Sequence, residues 1–207
     1  MAKEKLKLPT KPLPDLLAWW RKAKVPGVII GGLAIAYRGN PRTTRDVDAI
    51  IFLDDNRLVD FLEQGESFSF KPRIPDPIAF ARESRVLLLR HGKSQIDIDL
   101  SLGGPMFEPQ ILERAQNVKV GKLTLPIATV EDLLVLKAVA NRHIDRVDIA
   151  GLLEFNDDVD IGYVRRHLAN FAALLEMPEI LDDFEQMLGD RKAAISARTK
   201  SSRKKRQ

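Results

Sequence analysis

The sequence predicts an α/β front half to about residue 125, a mixed sheet flanked by helices, followed by a helical back half. Two observations carry this expectation. Up to Pro126, short β-branched or alternating runs such as Val28-Ile29-Ile30 and Gln95 to Leu102 are separated by helical stretches and by Gly- or Pro-bearing turns. Beyond Pro126 the strand signals stop. Apolar residues then recur at helical spacing, first at Leu133, Leu134, Leu136 and Val139.

Taken in order, Leu13 to Lys24 reads as a helix whose apolar content is Leu16, Leu17, Trp19 and Trp20, ended by Pro26-Gly27. Val28 to Ile30 is a buried strand, broken by Gly31-Gly32, after which Leu33 to Tyr37 starts a helix that stops before Gly39-Asn40-Pro41. Asp46 to Leu53 is a second strand with Val47, Ala49 and Ile51 on one face. Asn56 to Gln64 and Asp76 to Glu83 read as helices. Val86 to Arg90 and Gln95 to Leu102 form strands joined by a turn at His91-Gly92-Lys93. Phe107 to Ala115 is helical, and Gly121-Lys122 turns a small hairpin between 118–120 and 123–125. Helices follow at Glu131 to Ala140, Arg146 to Leu153, Val164 to Leu175 and from Pro178 to Leu188, where Gly189 stops the last. The division expected is 1–125, 126–190 and a disordered basic tail, 191–207.

The composition, 44% hydrophobic and 30% charged, is that of a soluble globular protein, and no apolar run approaches the length that spans a bilayer. With no cysteine, disulfides, thiolate catalysis and Cys-ligated zinc are excluded. His91, His143 and His167 lack zinc-ligand spacing and read as surface or loop residues. The cytoplasm is the expected location. A net charge of +4 over 207 residues conceals an asymmetry. The eight Lys and Arg of 191–207 have no acid among them, so subtracting +8 from +4 leaves −4 on the other 190 residues. A mildly acidic body suits a metal site better than a broad nucleic-acid footprint. The tail, including Arg198, Lys200, Arg203, Lys204, Lys205 and Arg206, has no interleaved aromatics. It reads either as a solubilising end or as an arm that attracts RNA phosphates.

The chemistry points to Asp46-Val47-Asp48. Residues i and i+2 of a strand share a face, so these carboxylates stand side by side, roughly 6.5 Å apart at Cα. Two anions at about 4 Å repel by roughly 4 kcal/mol at an effective dielectric near 20. A divalent cation with oxygen ligands relieves that repulsion. An isolated Asp-Val-Asp reads more readily as a solvated strand edge or a local Arg-Asp cluster, but Asp97 and Asp99 repeat the pattern opposite Ile96, Ile98 and Leu100. Four acids on two strands make a cup for one or two magnesium ions that bridge the phosphates of a nucleotide. Gly31 and Gly32, lacking side chains, let backbone N–H groups approach a triphosphate. Arg42 and Arg45 are placed either to support that triphosphate or to buffer the carboxylates. Alternation alone does not choose between Asp97 and Asp99 as the third ligand.

The order Gly-Gly, spacer, Asp-hydrophobic-Asp, then a later strand with a carboxylate resembles the DNA polymerase β-type nucleotidyltransferase superfamily. Within it, Gly31-Gly32-Leu33-Ala34 followed by Arg42-x-Thr44-x-Asp46-Val47-Asp48 is similar to the AbiEii/AbiGii toxin-like branch. The likeness continues through Ile98-Asp99-Leu100-Ser101-Leu102-Gly103, Phe107-Glu108, Glu131-Asp132-Leu133, Lys137-Ala138-x-Ala140, Arg142, Asp145 and Asp148, covering roughly residues 27 to 153.

The resemblance implies a nucleotidyltransferase-type fold and an enzyme that moves a nucleoside monophosphate from a nucleoside triphosphate to an acceptor hydroxyl. Asp46, Asp48 and Asp99 would be catalytic and hold Mg2+, and Asp99 is preferred because Leu-Ser-Leu-Gly follows it. Gly31, Gly32, Arg42, Thr44 and Lys137 would bind the nucleotide, with Arg142, Asp145 and Asp148 fixing the Lys137 helix. The toxin-like branch implies RNA, tRNA included, as acceptor and a cognate antitoxin as partner, while an antibiotic- or protein-modifying transferase would use the same metal site. Gly32 stands where many superfamily members carry Ser, so any phosphate contact there is main-chain. The alternatives are a non-catalytic nucleotide- or RNA-binding protein on the same fold and an antitoxin-like interaction protein.

Overall fold

The computed structural model describes residues 7–40 and 42–204, with side chains described as far as Arg191. It divides into two compact units. One runs to Tyr37 and resumes from residue 42 to Thr129; the other takes Arg38–Asn40 and what is described from Val130 onward. The division thus falls a few residues after the expected Pro126, and it lends three residues from the front of the chain to the helical unit. No described helix is long and apolar enough to cross a membrane.

The first unit is built on seven strands. β1 (Gly27–Ile30), β2 (Asp46–Ile51), β3 (Phe70–Pro72), β4 (Val86–His91), β5 (Ile96–Leu102), β6 (Gln116–Val120) and β7 (Leu123–Ile127) form one mixed sheet of order β3-β4-β5-β2-β1-β7-β6. The β2–β5 and β1–β7 pairs are parallel and the others antiparallel. Among the described residues five α-helices accompany it: α1 (Leu13–Ala23), α2 (Gly31–Tyr37), α3 (Leu58–Glu66), α4 (Pro77–Ser84) and α5 (Glu108–Arg114). This is the mixed, helix-flanked sheet expected from the sequence.

Local chemistry explains the boundaries. α1 begins with Pro at its first turn, where a missing N–H costs nothing, and ends at Lys24 in the left-handed conformation. α4 is capped by Asp76, whose Oδ1 accepts from the Ala79 N–H at 3.1 Å. Trp19 of α1 is wholly buried. It stacks on Phe61 at 4.1 Å and Phe70 at 5.1 Å, and its indole N–H donates to the Phe61 carbonyl at 3.2 Å. His91, expected at the surface, is instead 2% exposed at the end of β4. Its Nε2 lies 3.0 Å from Asp15 Oδ2 and its Nδ1 lies 2.7 Å from Ser94 Oγ, so both ring nitrogens are satisfied inside.

The second unit is helical: α6 (Val130–Ala140), α7 (His143–Phe155), α8 (Ile161–Leu175) and α9 (Glu179–Lys204). α9 corrects the expected stop at Gly189 and the expected unstructured tail, since the backbone is helical through Lys204. A single glycine costs only about 1 kcal/mol in a helix. The run that follows it, with Ala193, Ala194, Ala197 and several Lys and Arg, favours helix strongly enough to continue. The side chains of 192–204, and residues 205–207 altogether, lie outside the described residues. The tail's expected RNA-attracting role lies there with them.

Candidate active site

The register of two parallel strands assembles the carboxylates. Asp48 of β2 is directly opposite Asp99 of β5, and Asp46 is opposite Asp97. Residues paired in this way share a face, so all four acids stand on one side of the sheet. The other side holds Val47, Ala49, Ile51, Ile98 and Leu100, all buried. Magnitudes show which face sets the register. Each large buried aliphatic contributes about 1.5–3 kcal/mol, so Val47, Ile51, Ile98 and Leu100 together outweigh a carboxylate repulsion of roughly 4 kcal/mol. A slip by one residue would exchange the faces, and the acids are therefore held together by the core behind them.

Asp99 is level with Asp48 and Asp97 is level with Asp46, so position along the strand does not choose between them either. What separates Asp97 from Asp99 is their partners. Asp97 accepts from Arg90 Nε at 2.6 Å and Nη2 at 3.1 Å, and from Arg73 Nη1 at 3.3 Å. The Arg90 hydrogen bonds hold its carboxyl below the usual range, against the effect of burial. Asp99 shares only Arg73, whose Nη2 donates to its Oδ1. Burial pushes the Asp99 carboxyl up despite Arg73, and the charges of Asp46 and Asp97 add to the rise. The field of Asp46 thus acts on Asp99, and Asp97 is neutralised by arginine.

Two neighbours orient the β2 acids. Thr44, 8% exposed, donates from Oγ1 to Asp46 Oδ1 at 2.8 Å. Asp48 projects into the space that Gly31 leaves open. A Cβ on Gly31 would sit 1.9 Å from Asp48 Oδ2, and Gly31 has φ of +61°. Gly32 serves Thr44 and Arg42 in the same way: a Cβ there would lie 2.6 Å from Thr44 Oγ1 and 3.0 Å from Arg42 Nη2. The glycine pair, at the junction of β1 and α2, is thus shaped to the acidic strand beside it. Arg42 Nη1 donates to the Thr43 carbonyl at 3.4 Å, and Arg45 is exposed.

Among the described residues, no three acidic or histidine side chains converge closely enough to grip an ion as they stand. Asp46 is turned to Thr44 and Asp99 to Arg73. The donor set nevertheless fits magnesium in kind, being carboxylate oxygens on one face of two neighbouring strands, with a glycine cradle at their side.

Lys137 belongs to the second unit and is 7% exposed. Its Nζ lies 2.6 Å from Asp145 Oδ1 and 3.1 Å from Asp148 Oδ2, both on α7 and both fully buried. Arg142 Nε donates to Asp145 Oδ2 at 2.7 Å. The residues grouped with Lys137 by resemblance do form one network, and the lysine is its centre. Arg73 and Arg90, which grip the β5 acids, were missed in the sequence. Their signal is faint: Lys71 and Arg73 alternate on one short basic segment that reads as a loop.

The fold is of the nucleotidyltransferase type. The chain belongs to the family described as nucleotidyltransferase of unknown function (DUF6036), whose model matches residues 18–186. No curated protein sequence matches the chain. Among solved structures, the lincosamide antibiotic adenylyltransferase LnuA, lincomycin-bound, is similar at a TM-score of 0.52 and 15% identity, over 72% of this chain and 99% of that one. An antigenic nucleotidyltransferase-like protein from Paracoccidioides brasiliensis is similar at 0.49 and 18%, over 82% of this chain and 90% of that one. The family match bears out the nucleotidyltransferase expectation, the likeness to LnuA is one of fold, and the AbiEii/AbiGii branch is not shown.

A first test addresses the cradle. Gly31→Ala adds a methyl at positive φ and against a carboxylate, which should cost on the order of 1–2 kcal/mol from the backbone alone and more from Asp48. In an Asp48→Ala background the same substitution should cost measurably less in urea unfolding. Equal costs in both backgrounds would show that Gly31 and Asp48 are not coupled.

Proposed function

We propose that the protein transfers a nucleoside monophosphate from a nucleoside triphosphate to an acceptor hydroxyl with release of pyrophosphate, using Asp46, Asp48 and Asp99 around Mg2+. The observation that carries this reading is the Asp48–Asp99 pairing, with Asp46 on the same face and Gly31 opened beside it. When bound, magnesium supplies charge neutralisation at the phosphates and makes the acceptor hydroxyl easier to deprotonate. The chain does the rest. Thr44 fixes Asp46 by its hydrogen bond, the β2–β5 register holds Asp48 level with Asp99, and Asp99 takes the proton of the acceptor hydroxyl. The hydroxyl oxygen bonds to the α-phosphorus, the α–β bridging P–O bond breaks, and pyrophosphate leaves.

Gly31, Gly32, Arg42 and Thr44 border the triphosphate in this reading. Lys137 is left out of the nucleotide contacts, because its ammonium is committed to two buried carboxylates. The acceptor class assigned is RNA, tRNA included, in a cytoplasmic protein with a cognate antitoxin as partner. The support for the RNA acceptor and the antitoxin is the toxin-like resemblance alone, and that for the cytoplasm is the composition. Incubation with each labelled triphosphate, magnesium and total cellular RNA tests them together. Label in tRNA supports the full reading, and label in protein replaces the acceptor. No label in any fraction favours a non-catalytic nucleotide- or RNA-binding protein on the same fold.

The two β5 acids should behave differently. Asp99→Ala is expected to eliminate transfer. Asp97→Ala, which loosens Arg73 and Arg90 but removes no ligand, should leave a measurable rate. A reversed result would rename the third ligand.

A further inference from the structure

Across the sheet the sign of charge inverts. Asp46 on β2 pairs with Asp97 on β5, Asp97 with Arg90 on β4, and Arg90 with Lys71 on β3, so one row on the site's face runs acid, acid, base, base. Arg73 follows β3, its N–H bonded to the Leu88 carbonyl at 2.9 Å, and its guanidinium reaches back to Asp97 and Asp99. Beside these cations lies an open groove of about 300 Å³ lined by Lys71, Pro72, Arg73, Arg90, Gly92 and Gln95, with no acid among them. Among the described residues, no carboxylate lies within ion-pair range of Lys71. The three cations face Asp97 and Asp99, and three positive charges less two leave +1 on the groove. It adjoins the third carboxylate on the side away from Asp46 and Asp48.

We propose that this groove is a phosphate subsite for the acceptor. The molecule that receives the nucleotide carries a phosphate, held by Lys71, Arg73 and Arg90 while its hydroxyl faces Asp99. The proposal rests on the nucleotidyl-transfer reading and adds the chemistry of its second substrate. A cation or an uncharged antibiotic would find the groove indifferent or repellent. The phosphate is either a phosphodiester of a polynucleotide or a phosphomonoester of a small molecule, and both present the same oxygens to arginine.

The test has two parts, both on the full chain. Inorganic phosphate is titrated into labelled protein with magnesium present, and the side-chain Nε–H signals of Arg73 and Arg90 are followed by NMR. Saturable shifts are expected, weakened about tenfold in Lys71→Glu, an exposed edge substitution that the fold tolerates. Absence of saturable shifts overturns the subsite whatever the activity. Transfer is then assayed with a short single-stranded RNA and with ribose 5-phosphate. For the acceptor used, Lys71→Glu should raise KM about tenfold and make it less salt-sensitive, the effect falling on KM rather than kcat. Dependence with RNA identifies the polynucleotide, and dependence with ribose 5-phosphate identifies the small molecule. An acceptor KM unchanged in Lys71→Glu overturns the proposal. Saturable shifts without pyrophosphate release from any triphosphate overturn the transfer reading instead, because the titration reads the groove without catalysis.

Discussion

Asp48→Asn is expected to lower nucleotide transfer on the order of 10³-fold while leaving the protein folded. The substitution keeps the side chain's shape and removes its charge, so the space opened by Gly31 stays filled and only the charge on the site's face changes. A metal ion that neutralises phosphate charge in the transition state is worth several kcal/mol, loss of a charged ligand forfeits much of that, and each 1.36 kcal/mol is a factor of ten in rate. Asp46→Asn should have an effect of the same order, since the Thr44 hydroxyl still finds an oxygen at that position. Neither change should destabilise the fold, because the register is held by the apolar face and one like charge among four is removed. Binding of Mn2+, followed by calorimetry in the absence of nucleotide, should weaken in both variants. Transfer within a few-fold of the unsubstituted protein in either one, at normal melting temperature, would remove the central claim.

The acidic face was legible in the sequence because alternation is a local property. Asp46, Asp48, Asp97 and Asp99 declare their shared faces within two short runs, and Gly31-Gly32 declares a break before the first of them. Which acid stands opposite which is not local, since it is set by the pairing of strands some 50 residues apart. Asp97 accordingly turned out level with Asp46. The arginines that separate the roles of Asp97 and Asp99 were hidden for the same reason. Arg90 reaches Asp97 across a strand pair, and Arg73 follows a three-residue edge strand ending in Pro72, too short and too proline-marked to read as β. His91 looked like a turn residue because Gly92 follows it, and only tertiary contact with Asp15 and Phe70 buries it. Gly189 looked like a stop because the penalty of one glycine is visible in sequence, whereas the helix on both sides of it wins by propensity summed over many residues.

Lys137 gives the second large effect, and it separates a structural role from the phosphate contact that resemblance assigns. Lys137→Met keeps the aliphatic stem and removes an ammonium that lies against two fully buried carboxylates. Breaking a buried ion pair from one side costs about 3–5 kcal/mol, a large share of the 5–15 kcal/mol that holds a typical domain together. Burial alone would raise the Asp145 carboxyl, but hydrogen bonds from Arg142 and Lys137 outweigh it and hold it at about 2, against an ordinary 3.8. A carboxyl depressed on folding stabilises the protein fully above its unfolded value, and that contribution is lost as pH falls through the folded value. The stability of the unsubstituted protein should therefore fall between about pH 3.8 and about pH 2, by on the order of 2 kcal/mol from this group. In Lys137→Met only Arg142 opposes burial, so the acid limb should be shallower. Adding Asp148→Asn should recover part of the loss, because one buried charge then no longer needs a partner. A Lys137→Met protein that melts within about 1 kcal/mol of the original but has lost kcat would sink the structural assignment and return the lysine to the phosphates.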